Sequence, residues 1–283
     1  MREDWQTGFV ETNDLRLHYA RTGGEKRPIV LAHGVTDAGP CWTPVAEALA
    51  VEYDVIMVDA RGHGRSDAPE RGYGPAEQAQ DLAGVIAGLE LKRPTVLGHS
   101  MGAATALVLA GVHPDLPGAI LLEDPPAWWT DRSDSTEATE RRTAMRQRAI
   151  GLKQKAREDL ISGQRAEQPS WSDAELGPWA DAKQWFSPNV LSLYDHDNGS
   201  DVNWQAVLAR ITCPALLIAS DPERGGIVTP ENAIALKELV PHLEIAHIPE
   251  AGHNIRRDQF ARYMEVVHTF LAEHDVETAV GVG

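Results

Sequence analysis

Two short motifs hold residues that could do acyl-transfer chemistry. In Gly98-His-Ser-Met-Gly102 a serine stands between two glycines, after the apolar run Pro94-Thr-Val-Leu97 and before the Ala- and Leu-rich run 103–110. A serine hydroxyl is a poor nucleophile unless it is held out on a sharp turn, beside a base and over backbone donors. Strand, G-x-S-x-G and helix in that order supply the turn. The glycines leave room for neighbouring backbone. A helix beginning at the serine aims the positive end of its dipole at any anion formed there. The second motif is Pro249-Glu-Ala-Gly-His-Asn254, where His253 follows an expected strand. Open α/β sheets place their sites just beyond such strand ends. An imidazole with an ordinary pKa near 6.5 can take a proton from a hydroxyl and return it to a leaving group. Of the other histidines, His99 projects away from the turn and reads as packing. His33 and His63, each beside a glycine, read as loop-shaping.

The elements that must position these residues follow from hydropathy. Residues 7–22 alternate apolar and polar on both sides of Asn13-Asp14, which specifies a hairpin. Short apolar runs at 29–32, 54–59, 94–97, 119–122, 214–219 and 243–248 are expected strands. Helical spacing at 42–51, 75–91, 101–112, 230–240 and 257–273 separates them. This alternation specifies an α/β fold: a mostly parallel central sheet with helices on both faces. The pattern changes after Asp124-Pro-Pro126. No sheet strand is expected before about residue 210, and helices are expected at 136–162, 174–185 and 202–211. Six of the eight tryptophans, Trp128, Trp129, Trp171, Trp179, Trp185 and Trp204, fall in this stretch. Such a concentration of large amphipathic rings suggests a helical cap over a largely apolar pocket. Trp128 and Trp129, directly after a strand end, are the expected pocket walls. The expected division is a core domain of residues 1–124 and 212–283, with a cap of residues 125–211 inserted after the sixth strand.

Composition narrows the function classes. Lys plus Arg number 26 against 42 Asp plus Glu, a net charge of −16 in 283 residues. Such a chain repels phosphate backbones and anionic lipid, so neither nucleic acid nor a membrane is the expected partner. A small-molecule substrate is expected, with the protein a monomer or homodimer. Cys41 and Cys213 lie beside core-like segments and read as buried free thiols. The N-terminus lacks an apolar h-region and no apolar run reaches spanning length, which points to a cytoplasmic protein.

Four motifs resemble the α/β-hydrolase fold enzymes of the capped, lid-bearing type, in that family's chain order and over nearly the whole sequence. They are His33-Gly34, Asp59-Ala-Arg-Gly-His-Gly-Arg-Ser-Asp67, Gly98-His-Ser-Met-Gly102 and Gly252-His253. The resemblance implies Ser100 as nucleophile and His253 as its base, with the N–H groups of Val35 and Met101 as an oxyanion hole. A carboxylate must orient the histidine. Family precedent usually places it after the seventh strand, where Asp221 and Glu223 are available; some members use an acid after the preceding strand, which here is Asp124. Asp221 is the first expectation, then Asp124, then Glu223.

Other chemistries fit poorly. Asp195-His-Asp-Asn-Gly-Ser-Asp201 misplaces the glycine of a calcium loop, and Ala206 stands where its bidentate glutamate belongs. No Cys/His cluster has zinc spacing and no phosphate-binding glycine motif is present, so neither metal nor nucleotide cofactor is implied. The expected activity is therefore hydrolysis of a carboxylic ester or lactone of a small, largely apolar substrate through an acyl-enzyme. C–C bond hydrolysis or perhydrolysis on the same residues, or a non-catalytic small-molecule receptor of the same fold, are the alternatives.

Overall fold

The computed structural model describes residue 2 and residues 4–130, 136–194 and 202–274. Strands β1 (Gln6–Thr12) and β2 (Leu15–Arg21) form the expected antiparallel hairpin, paired from Gln6↔Arg21 to Thr12↔Leu15. Asn13 and Asp14 both take positive φ, 50° and 59°, as the tight turn of a right-twisted hairpin requires.

Six parallel strands follow: β3 (Arg27–Ala32), β4 (Tyr53–Val58), β5 (Thr95–His99), β6 (Ala119–Glu123), β7 (Ala215–Ala219) and β8 (Glu244–His247). The eight strands lie in the order β1-β2-β4-β3-β5-β6-β7-β8. The chain runs outward from β3 to β4 and then returns to β5 on the other side of β3. The strand order therefore reverses between β3 and β5, and crevices for ligands open beyond the carboxyl ends of the strands at such a reversal.

The central strands are apolar over their middle residues because each serves two cores. Val30, Val96, Ile120 and Leu122 point to one face, Leu31, Leu97, Ala119 and Leu121 to the other. The first face is covered by α2 (Pro75–Gly88), α3 (Met101–Val112) and α8 (Pro230–Leu239). The second is covered by α1 (Thr43–Leu49) and α10 (Phe260–His274). The expected closing helix begins earlier, as the short α9 (Ile255–Asp258), because the backbone breaks at Gln259 before α10. Cys41 and Cys213 are both buried free thiols.

Between β6 and β7 the described residues contain helices and no strand: α4 (Thr136–Lys153), α5 (Arg157–Glu167), α6 (Asp173–Trp185), a 3-10 turn at Pro188–Tyr194 and α7 (Trp204–Leu208). The single helix expected over 136–162 is thus two. No glycine or proline marks the break, which falls where Ala156 turns extended. Tertiary packing sets it: the Lys153 ammonium donates to the Gln184 and Phe186 carbonyls at the end of α6. Beyond the break, α5 packs Leu160 with Trp171, Leu176 and Trp179. Residues 195–201, weighed above as a calcium loop, lie outside the described residues. Among the described residues, no helix is long and apolar enough to cross a membrane.

Helix α3 is buried along almost its whole length and is built of small residues, which lets α7 approach it closely. A Cβ on Gly111 would sit 2.2 Å from the Val207 carbonyl oxygen. Alanine gains about 1 kcal/mol of helix propensity over glycine. The backbone clash outweighs that gain, so Gly111→Ala should lose stability overall, by roughly 1–3 kcal/mol. Urea unfolding of the two proteins measures the sign directly.

Candidate functional site

The sheet brings the sequence motifs into one row. In register, Ala32 of β3 faces Gly98 of β5, and His99 of β5 faces Glu123 of β6. Residues 33–35, Ser100 and Asp124 therefore leave three adjacent strands at their carboxyl ends, within roughly 5 Å per strand. The Ser100 N–H donates to the Glu123 carbonyl at 2.9 Å and the Asp124 N–H to the Ile218 carbonyl at 3.0 Å. Ser100 sits at φ 51°, ψ −114°, outside the regions ordinary residues favour. Gly98 and Gly102 permit this conformation. A Cβ on Gly98 would lie 2.3 Å from the Gly102 carbonyl oxygen, and one on Gly102 would lie 2.1 Å from the Ala32 carbonyl oxygen.

His253 meets the elbow from the loop after β8. Its ring lies 4.7 Å from that of His99, centroid to centroid, and its carbonyl accepts from His99 Nε2 at 2.9 Å. Burial holds the His99 imidazole well below its usual pKa, with Arg256 and His253 adding to the effect, so the ring is neutral and this proton sits on Nε2. Ser220 Oγ donates to the Gly252 carbonyl and the Gly252 N–H donates to Asp258 Oδ2, both at 2.8 Å, fixing the backbone just before His253.

The carboxylate beside His253 is Asp124 and not Asp221. His253 Nδ1–H donates to Asp124 Oδ2 at 2.7 Å, and the Asp124 side chain is fully buried. The backbone N–H groups of Ile227 and Val228 donate to the same carboxylate at 2.9–3.1 Å. The loop after β7 thus supplies amides where the first expectation asked it for an acid. Asp221 is turned the other way: Oδ1 lies 3.0 Å from His247 Nε2 and Oδ2 accepts from the Glu250 N–H at 2.8 Å. Glu223 is exposed in the turn Pro222–Arg224. The signal in the sequence was Gly226, which stands near the position where the resemblance places the usual acid. Asp124 itself takes φ 44°, a second strained residue in the row.

The turn after β3 lies against Ser100, since a Cβ on Gly34 would fall 3.4 Å from Ser100 Cβ. His33 accepts from the Ala60 N–H on Nε2 at 3.0 Å, so its proton is on Nδ1 and goes to the Gly34 carbonyl at 2.8 Å. The Asp37 N–H donates to the same carbonyl at 3.0 Å. In a trans peptide the N–H points opposite the C=O, so the Val35 N–H is directed away from both donors. His63 Nε2 donates to the Val35 carbonyl at 2.6 Å. Burial, with His33 beside it, pushes the His63 pKa down to about 4. Met101 is the first residue of α3, so its N–H has no acceptor within the helix. His33 and His63 are loop-shaping and His99 packs, as their positions suggested.

The tryptophans are used mainly for packing. Trp129, expected to wall a pocket, is buried in the main core with its indole N–H donating to the Asn232 carbonyl at 2.9 Å. Trp128 is half-buried, 6.0 Å from Trp204. The residues packed with Met101 and Val35 are instead Tyr73, Val190 and Leu193, the last two from the turn Pro188–Tyr194. Nothing in the spacing of these three residues distinguished them from ordinary core.

A cluster of buried charges that sequence reasoning missed surrounds this row. Asp37 accepts from Lys183 at 3.0 Å, Arg256 at 3.2 Å and Arg257 at 2.9 Å. Arg257 also pairs with Glu175 at 3.0 Å, and Arg256 with Glu123 at 3.0 Å. Burial alone would raise the Asp37 pKa, but Arg257, Lys183 and Arg256 outweigh it and hold the carboxyl well below the usual range. The doublet Arg256-Arg257, two residues beyond His253-Asn254, was the available clue. A partly exposed group, Glu244, Glu273 and His274, could draw a cation between its ligand atoms, but it lies at the amino end of β8, opposite the row.

Residues 29–266 match the model of the alpha/beta hydrolase family, and the chain belongs to that family. It is 30% identical over 270 residues to N-formylmaleamate deformylase of Pseudomonas putida, covering 93% of this chain and 96% of that one. The crystal structure of E-2-(acetamidomethylene)succinate hydrolase superposes with a TM-score of 0.80 at 21% identity, covering 95% of this chain and 99% of that one. The enol-lactonase of Burkholderia xenovorans LB400 gives a TM-score of 0.73 at 23% identity, with 94% and 100% covered. These last two likenesses speak for the fold.

The buried titratable groups set the acid sensitivity of this region. His63 has a folded pKa near 4 against about 6.5 unfolded, so the unfolded chain binds more protons between those values. Its contribution to stability is present above pH 6.5 and is lost as pH falls through 4. Asp37, depressed below its ordinary 3.8, adds a further loss only below that pH. Urea unfolding midpoints should therefore fall as pH drops from 6.5 to 4, and fall less steeply in His63→Gln. Asp37→Ala, which leaves buried Lys183 without a carboxylate and takes one of two partners from Arg256 and Arg257, should lose roughly 3–5 kcal/mol at pH 7.

Proposed function

We propose that this protein is a serine hydrolase acting on an acyl carbonyl of a small molecule through Ser100, His253 and Asp124. The observation that carries the reading is the 2.7 Å bond from His253 Nδ1 to the buried Asp124, beside a serine strained outward between two glycines. His253 Nε2 takes the Ser100 proton as Oγ attacks the carbonyl carbon. Asp124 holds the imidazole in the required tautomer and stabilises the imidazolium. The Val35 and Met101 N–H groups receive the negative charge on the carbonyl oxygen. Collapse of the tetrahedral intermediate passes the His253 proton to the leaving group and leaves an acyl-Ser100. Water, deprotonated by His253, then attacks that ester and releases the acid and free Ser100.

The first substrate class is a carboxylic ester or lactone, whose alkoxide needs only the one proton His253 carries. A second class has a specific observation behind it: the full-length relative at 30% identity is an N-formylmaleamate deformylase, so an N-acyl group on nitrogen is a substrate to test beside the esters. C–C bond hydrolysis, perhydrolysis and ligand binding without turnover are separated from these by product analysis.

A panel of p-nitrophenyl esters, lactones, N-formyl and N-acetyl amides, together with fluorophosphonate labelling, tests the reading. Wild type should label and turn over, and Ser100→Ala should do neither while keeping its fold. Asp124→Asn should lower kcat by a factor on the order of 10⁴, and Asp221→Asn should stay near wild type. A dead Asp221→Asn beside an active Asp124→Asn reverses the assignment. Folded wild type without Ser100-dependent labelling favours a receptor.

A further inference from the structure

Three successive carbonyls of the turn after β3 are each held by a side chain. The Gly34 carbonyl accepts from His33, the Val35 carbonyl from His63, and the Thr36 carbonyl from Lys183 Nζ at 2.8 Å. The two histidines belong to core loops. Lys183 comes from α6, in the segment between β6 and β7.

Its ammonium is fully buried, and its three N–H groups are matched by three acceptors: Thr36 O at 2.8 Å, Thr36 Oγ1 at 3.0 Å and Asp37 Oδ1 at 3.0 Å. Burial lowers the lysine pKa, and Asp37 opposes that. Packing alone does not call for this arrangement. A hydrophobic side chain of the same length fills the space without desolvating a charge, and such replacements are often neutral or stabilising. Asp37 does not need this third cation either, because Arg256 and Arg257 already reach its other oxygen. What the lysine alone supplies is a grip on Thr36, the residue following Val35.

We propose that Lys183 is a positioning residue for the oxyanion site: by clamping the Thr36 carbonyl it sets the peptide whose Asp37 N–H donates to the Gly34 carbonyl, and through that peptide the direction of the Val35 N–H, so that α6 contributes to transition-state stabilisation without touching substrate. The proposal rests on the hydrolase reading above. Its signature is selective. A turn free to swing still admits substrate, but it no longer presents a donor where negative charge develops.

The test uses full-length Lys183→Met and an ester that wild type hydrolyses in a Ser100-dependent way. The expected result is a kcat about 10 to 100-fold lower with KM within about threefold, since small misplacements of a catalytic group cost on this scale. Affinity for an alkylboronic acid, which forms a tetrahedral adduct on the serine, should fall by the same factor as kcat/KM. A merely structural lysine moves neither the kcat-to-KM split nor the boronate affinity. Should Lys183→Met fail to fold, Thr36→Val, which deletes one acceptor isosterically, takes its place and should lower kcat by about threefold or more with KM unchanged. A kcat and boronate affinity within twofold of wild type in the folded variant, or a loss confined to KM, overturns the proposal. Absence of Ser100-dependent turnover in wild type overturns the hydrolase reading and this proposal with it; an active wild type matched by Lys183→Met overturns this proposal alone.

Discussion

The conformation of one residue governs how the rest is arranged. Ser100 leaves β5 with φ 51° and ψ −114°, a state that costs of order 1–3 kcal/mol for a residue with a side chain. It persists because its surroundings allow no alternative. Its N–H continues the ladder to β6, and its carbonyl accepts from the Ala103 and Ala104 N–H groups as α3 begins. Gly98, Gly102 and Gly34 keep three backbone segments within contact distance of it. The order β4-β3-β5 then ensures that a reversal in the sheet opens directly above it.

Charge buried behind this row ties distant parts of the chain together. Asp37 follows β3, Glu123 ends β6, Arg256 and Arg257 follow the His253 loop, and Glu175 and Lys183 come from α6. Among these described groups three cations meet three carboxylates, so the cluster is neutral while every member is out of water. Moving α6 away as a body would unpair several of them at once, a cost of several kcal/mol per ion. Trp171 adds a neutral tie, its indole N–H donating to Asp258, which also holds Gly252. Helix α6 is therefore anchored to the same loops that carry the chemistry.

Much of this was legible in the sequence, for identifiable reasons. Alternation about Asn13-Asp14 has the period of two that strands satisfy, the apolar runs are too short for helices and are bounded by turn residues, and every expected strand is found. Ser100 was readable because its conformation demands glycines on both sides. The choice of Asp124 over Asp221 was not readable, because it depends on which carboxylate faces a ring 129 residues away, and both stand beyond the ends of neighbouring strands. Trp129 misled because an indole after a strand end can turn inward as readily as outward, and here Asn232 of α8 offered its N–H a partner. The break between α4 and α5 had no local signal, since a lysine reaching to another helix decides it. The charge cluster escaped notice because ion pairing is a property of folded distances, with only the adjacent arginines to hint at it.

The loop between β7 and α8 has one further consequence. It meets Asp124 solely through two consecutive main-chain amides, those of Ile227 and Val228, while its own aspartate faces the opposite edge. What such a loop must preserve at these two positions is a path of the backbone, and Gly225 at φ 101°, the buried Val228 and the Thr229 cap on α8 hold that path. One residue type is barred, because proline at 227 or 228 carries no hydrogen to give. Drift in this chain can therefore change exposed side chains such as Glu223 and Arg224 while leaving the neighbouring carboxylate cradled as it is now.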